Sequence, residues 1–215
     1  AMVRPDGSVD QSLILQIDGF FPQVNTVAVN NDNHIVIAGS FTQINGINRI
    51  NIAKLEADGS VIQSFNTEVN SGAISDVTVL DDGKIIAAGN FEIRSNAVYL
   101  ARFESNGNVD STFNPDPRIN YRVSKVSRHI NDKIFVYGSF RNNQTGIETV
   151  IFLLNPNGSV DESFALEVLS VHKVFTREDG KIYVVGEFAR INESVRYSLA
   201  RLNADYSVDE TYNAY

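Results

Sequence analysis

The sequence predicts an all-β protein of the β-propeller class, and three observations carry that prediction. A short motif, Gly7-Ser8-Val9-Asp10, returns as Gly59-Ser60-Val61, Gly107-Asn108-Val109-Asp110, Gly158-Ser159-Val160-Asp161 and Ser207-Val208-Asp209. Its valines recur about every 50 residues, a period that marks solenoids and propellers. Between the copies lie short apolar segments joined by Asp-Gly or Asn-containing turns, the pattern of antiparallel hairpins. The repeats run over residues 4–55, 56–103, 104–154 and 155–202, with a partial fifth at 203–215, in one propeller region spanning 1–215.

Each repeat opens on a hairpin. Ile74 to Leu80 alternates apolar and polar residues, as a strand with one buried face does. Asp82-Gly83-Lys84 then turns the chain, and Ile85-Ile86-Ala87-Ala88-Gly89 is a continuous apolar run suited to a strand covered on both faces. Asp32-Asn33-His34, Asn131-Asp132-Lys133 and Asp179-Gly180-Lys181 are equivalent turns. At one fixed distance before each turn stands Val27, Val77, Val126 or Val174, which predicts a core layer shared by all repeats.

The hairpin is followed by Gly-x-Phe in every repeat: Gly39-Ser40-Phe41, Gly89-Asn90-Phe91, Gly138-Ser139-Phe140 and Gly186-Glu187-Phe188. Glycine there implies a bulge or a close backbone approach, and the phenylalanine fills space between units. A third strand is predicted at Ala53-Lys54-Leu55, Ala101-Arg102-Phe103, Phe152-Leu153-Leu154 and Ala200-Arg201-Leu202. The recurring motif then leads into a fourth strand or inter-blade anchor ending in Leu13, Phe65, Phe113, Phe164 or Tyr212. Four strands in about 50 residues make one blade, so about four four-stranded blades are expected.

The succession Asp-Gly-Ser-Val-Asp-x-Ser-Phe, Asp-Gly-Lys-Ile, Gly-x-Phe, Asn-Gly-x-x-Arg and Ala-Arg-Leu-Asn resembles the delta-60 repeat family over essentially the whole chain. Asn45-Gly46-Ile47-Asn48-Arg49 matches the fourth element best, and Asn192-Glu193-Ser194-Val195-Arg196 keeps its ends. The third repeat departs most, with Asn131-Asp132 for Asp-Gly and Glu148 where the arginine would stand. The resemblance implies a β-propeller in a bacterial surface or secreted protein, with no enzymatic activity or fixed ligand attached.

Both ends carry the same piece, residues 3–13 and 203–215, and in a four-bladed ring these would compete for one slot. An arc of a larger ring, or half of a dimeric propeller of about eight blades, is therefore expected. Open blade faces of several hundred square ångströms, at about 25 cal/mol per Å², are worth several kcal/mol of association. Self-association through the terminal blades follows.

Composition narrows the function classes. The chain has 215 residues, 43% hydrophobic and 20% charged, enough to build a core. Its net charge of −8 argues against nucleic acid as partner. There is no cysteine, hence no disulfide, thiol nucleophile or zinc-thiolate site. No apolar run reaches the roughly 18 residues of a membrane span, and the N-terminus lacks a signal-peptide pattern. Asp6-Gly7-Ser8-Val9-Asp10 alternates oxygen side chains as a calcium loop does, but lacks the further acidic ligands and the bidentate glutamate, so it reads as a turn. His34, His129 and His172 occupy different places in their repeats, which argues against a metal site. No nucleophile elbow or phosphate-cradling loop is present, so no catalytic residue and no cofactor are assigned. Arg118, Arg122, Lys125, Arg128 and Lys133 crowd into the start of the third repeat, where a solvated strand or channel lining explains them.

The expected function is a non-catalytic binding or adhesion module, extracellular or at the bacterial cell surface, with a protein or glycan partner. The alternatives are a structural spacer and, last, a glycan-active enzyme. The loops after Gly-x-Phe differ in sequence yet share one place in every repeat, so they present recognition groups on one rim. The candidate ligand-binding residues are Asn45, Asn48, Arg49, Asn96, Tyr99, Asn142, Asn143, Gln144, Arg196 and Tyr197. The absence of tryptophan weakens the carbohydrate reading, because sugar sites exploit flat aromatic platforms.

Overall fold

The computed structural model describes residues 2–3, 5–10, 13–119, 121, 123–141 and 148–212. Among them the regular structure is β throughout, apart from one 3-10 turn at Ile130–Asp132. The chain divides into two compact units, Ala1–Asp110 and Ser111–Tyr215.

The first unit is built, with smaller sheets beside them, on two main three-stranded antiparallel sheets. One is built from β1 (Gln23–Val29), β2 (Ile35–Ser40) and β3 (Ile52–Leu55); the other from β4 (Val69–Val79), β5 (Ile85–Ile93) and β6 (Asn96–Phe103). The second unit repeats the plan with β7 (Val123–Arg128), β8 (Ile134–Arg141) and β9 (Glu148–Leu154), then β10 (Lys173–Thr176), β11 (Ile182–Val185) and β12 (Leu199–Leu202). In every one of these sheets the second strand is central. That is why it carries the continuous apolar run: both of its faces are covered, and Val36, Ile37 and Ala38 of β2 are all buried.

Within each unit the sheets stack face on face, as propeller blades do. Val36, Ala38 and Ile52 of the first sheet meet Ile74, Val77, Ile85 and Ala87 of the second, with Phe65, Phe91 and Phe103 filling the layer. In the second unit Phe135, Tyr137, Ile151 and Leu153 meet Val174, Val184 and Ala200, with Phe164 and Phe188 in the same layer. The glycine of Gly-x-Phe is fixed by backbone proximity. A Cβ at Gly39 would run into the Gln23 carbonyl, at Gly89 into that of Ala73, and at Gly186 into that of Ser170.

Two expectations need correction. The shared valine layer holds for Val77, Val126 and Val174, which are buried, but Val27 is 60% exposed because the side of β1 that bears it lies open. The fourth strand shrinks to a single bridge in each repeat: Leu55↔Val61, Phe103↔Val109, Leu154↔Val160 and Leu202↔Val208. A turn stands on either side of the bridging valine, so pairing with the third strand ends with the bonds that flank it, such as Ile62 N–H to the Lys54 carbonyl at 2.9 Å. Before the valine comes an Asx turn, with Ser60 N–H donating to Asp58 Oδ1 at 2.9 Å and Ser159 N–H to Asn157 Oδ1 at 3.1 Å. After it, Phe65 N–H donates to the Ile62 carbonyl and Phe164 N–H to that of Asp161.

Candidate functional site

In the first, second and fourth repeats the loop after Gly-x-Phe forms a small hairpin whose tip is tied to the segment leading into its own sheet. In the first repeat Ile17–Asp18 pairs with Gln43–Ile44, which pairs with Ile47–Asn48. Asn45 sits at the tip with φ of 50° and bonds Gln16 reciprocally: its N–H donates to the Gln16 carbonyl at 2.8 Å, and its Oδ1 accepts the Gln16 N–H at 2.9 Å. Asn192 and Glu167 repeat both bonds, at 3.2 and 3.0 Å. In the second repeat Arg94 takes this place and pairs with the Glu68 carboxylate at 2.6 Å.

The arginine four residues on holds the other side of the hairpin. Arg49 is buried, donating from Nη1 to the Asn48 carbonyl at 2.7 Å and from Nη2 to the carbonyls of Ile62 and Gln63 at 3.2 and 3.1 Å. Arg196 repeats the geometry: Nη1 to the Val195 carbonyl at 2.7 Å, Nη2 to the Asp209 carbonyl at 3.4 Å and to Glu210 Oε2 at 2.7 Å. Burial holds the Arg49 guanidinium below its usual range. Asn-x-x-x-Arg is thus a folding clamp that fastens the tip to the lead-in segment and the stem to the anchor segment. Asn45, though exposed, spends its side-chain amide on the Gln16 N–H and the Gly59 carbonyl, and Arg49 and Arg196 turn their guanidinium groups onto the backbone of the anchor segment.

The other candidates divide. Asn48, Asn96 and Tyr197 are exposed, and Tyr99 is half-buried. Asn48 Oδ1 accepts from Gln43 Nε2 at 2.9 Å, and Asn96 Nδ2 donates to the Arg94 carbonyl at 3.3 Å. Asn142, Asn143 and Gln144 lie outside the described residues.

Beside the tips stand apolar residues that the repeat pattern does not single out. Phe20 and Phe21 are 88% and 82% exposed and form an edge-to-face pair, with centroids 4.7 Å apart. They follow the Ile17–Asp18 strand directly, and Thr42 N–H donates to the Asp18 carbonyl at 2.8 Å. In the second unit the lead-in segments carry exposed Tyr121 and Leu169, while Val195 and Tyr197 stand exposed on the Asn192 hairpin. A signal for the first pair exists in the sequence: Gly19-Phe20-Phe21-Pro22 puts two aromatics between chain-breaking residues, outside any alternating pattern.

The acidic residues of the recurring motif are engaged elsewhere. Asp110 Oδ2 accepts from Lys84 Nζ at 2.7 Å and Arg102 Nε at 2.8 Å; Asp209 does so from Lys181 at 2.8 Å and Arg201 at 2.9 Å. Leu153 replaces the arginine on the third sheet, and Asp161 holds Lys133 at 2.6 Å and the Tyr206 hydroxyl at 3.4 Å. The lysine, followed by the Ser163 hydroxyl, brings Asp161 down to about 2, and the same kind of contacts hold Asp209 well below the carboxylate range. Asp161 and Asp209 therefore stay ionised and paired, unsuited to giving up a proton near neutral pH. Ile62 replaces the aspartate in the motif that follows the first sheet, where His34 instead approaches Glu56 at 3.3 Å.

His129 is buried between Phe135 and Tyr206, with Nδ1 2.7 Å from the Thr176 hydroxyl. Burial, helped by Lys133, lowers it to about 4. Within the basic stretch, Arg118 pairs with Asp116 at 2.9 Å and Glu162 at 2.6 Å, and Lys133 is the partner of Asp161 already described. Among the described residues no group of three or more His, Asp or Glu is placed to hold a metal ion, and no helix is long and apolar enough to cross a membrane.

Comparison with known proteins agrees with the repeat geometry. A family model described as a domain of unknown function, DUF5122, β-propeller, matches residues 31–65, 80–113, 131–164 and 177–212. Each match starts at or beside the hairpin turn and ends at or near the anchor residue. Among solved structures, a protein of unknown function from Bacteroides caccae is similar at 12% identity and a TM-score of 0.39, covering 86% of this chain and 80% of that one. The extracellular domain of a protein described as a putative one component system from B. thetaiotaomicron is similar at 10% identity and a TM-score of 0.38, over 89% of this chain and 29% of that one. No curated protein matches the sequence. The matched segments cover more than half of the chain, which therefore belongs to the DUF5122 β-propeller family.

Proposed function

We propose that the chain is a non-catalytic interaction module of a bacterial surface or secreted protein, which recognises a protein or glycan partner through the hairpin tips and the lead-in loops beside them. One observation carries this reading: large apolar side chains stand in solvent at these loops, where the fold makes no use of them. Phe20, Phe21 and Leu169, the last 84% exposed, contribute nothing to the core, whereas Asn45, Arg49, Asn192 and Arg196 on the neighbouring hairpins are engaged in holding the blade. Exposed aromatic groups on a rigid scaffold are the usual anchors of recognition surfaces. The exposed groups also differ from repeat to repeat, as a surface selected for a partner would.

The test is immobilised glycans and candidate surface proteins probed with wild type and with a Phe20→Ser/Phe21→Ser/Tyr197→Ser variant. Saturable binding weakened at least about tenfold in the variant, with an unchanged melting temperature, is the expected result. Absence of any saturable ligand overturns it in favour of a spacer.

A second reading, an assembly domain that self-associates through its terminal sheets, is favoured by the open side of β1, where Val27 and Val29 are both exposed. The two readings are compatible.

A further inference from the structure

The open side of β1 has a counterpart at the other end of the repeat series. Inside each unit one kind of sheet face covers another. The receiving face of the first sheet includes buried Val36 and the anchor Phe65, and that of the third includes buried Phe135 and Phe164. The inserted face carries buried Val77 in the second sheet and buried Val174 in the fourth. By repeat position, Val27 belongs to an inserted face, and Tyr183 and Tyr212 belong to a receiving face, occupying the places of Phe135 and Phe164. Among the described residues neither terminal face is covered. Val27 and Val29 are exposed, and on the last sheet Phe175, 42% exposed, lies stacked on Tyr183 at 4.8 Å, with Tyr212 against Tyr183 at 5.6 Å and the Arg201 guanidinium over Tyr212 at 4.5 Å.

Resting on the self-association reading above, we propose that a second copy of this chain docks head to tail, its Val27–Val29 face laid on the Phe175–Tyr183–Tyr212 face of the first. Two features of the molecule select this occupant. The complementary halves of a packing mode found within both units are present, uncovered, on one chain, so the interface continues a contact the fold already makes. The receiving face has also exchanged buried phenylalanines for tyrosines, with the Arg177 side chain hydrogen-bonded to Tyr183 and the Arg201 guanidinium over Tyr212, and Tyr and Arg are the residues enriched where a surface must stand both in water and in a complex. A head-to-tail contact closes into a ring when the rotation permits, and two copies then share two equal seams.

Sedimentation equilibrium tests this with Val27→Asp and Phe175→Asp, both at exposed positions; Val29→Asp and Tyr183→Asp serve if either fails to fold by circular dichroism. Wild type is expected to associate. Each variant alone is expected to run as a monomer, and an equimolar mixture to recover a dimer, because each variant retains the face the other has lost. A monomeric wild type overturns self-association altogether. A wild type that associates together with a Phe175→Asp variant that still does so overturns the head-to-tail assignment alone, and points to a symmetric pairing of Val27 faces.

Discussion

Arg196 serves the fold without facing a ligand: its bonds run to the carbonyls of Val195 and Asp209 and to the carboxylate of Glu210. Replacing it by alanine removes the charged donor from the buried Asp209 carbonyl and from the Glu210 carboxylate, and opens a hole where the buried guanidinium stood. Arg196→Ala is expected to lower stability by about 2–3 kcal/mol, read from urea unfolding. Arg196→Lys recovers only part, because one ammonium cannot span the acceptors that a planar fork reaches. A ligand-contacting arginine would leave stability within about 0.5 kcal/mol on removal.

Strands and turns are the most legible level of this chain. Gly39 illustrates why: a residue type repeated at one place in four units reports a backbone constraint, and here the Gln23 carbonyl occupies the space a side chain would need. Gly39→Ala is expected to cost more than about 3 kcal/mol or to prevent folding. Gly46→Ala, at φ of 74° with open space around it, is expected to cost about 1–2 kcal/mol. Thermal melts of the two variants distinguish a steric wall from a purely conformational preference. The candidate site is less legible, for a related reason. Asn45 and Arg49 look like recognition groups in sequence because polarity on a loop is ambiguous, and only the bonds to Gln16 and Ile62 show that they face the blade. Phe20 and Phe21 carry the opposite ambiguity: aromatic residues suggest core, and only their exposure assigns them to the surface.

At the scale of the molecule, protons and stability are coupled. His129 is lowered to about 4 in the fold against about 6.5 in an unfolded chain, so the unfolded state takes up its proton first as pH falls. Its contribution is whole above pH about 6.5 and drains away toward about 4, by up to about 3 kcal/mol. Asp161, at about 2 in the fold, adds a second loss below the ordinary carboxylate range of about 4. Urea midpoints are therefore expected to fall between pH about 7.5 and about 5, and again toward about 3. His129→Leu, which installs the residue that Leu80 supplies at the same place in the second repeat, should flatten the upper step and leave the lower one.

The lysine–aspartate locks have one more consequence, for synthesis. Lys84 and Asp110 are 26 residues apart, and Lys133–Asp161 and Lys181–Asp209 are 28 apart, so each lock joins stretches that leave the ribosome close together in time. A nascent chain can latch one blade before the strands of the next have emerged, and a translational pause near a motif leaves finished blades behind it.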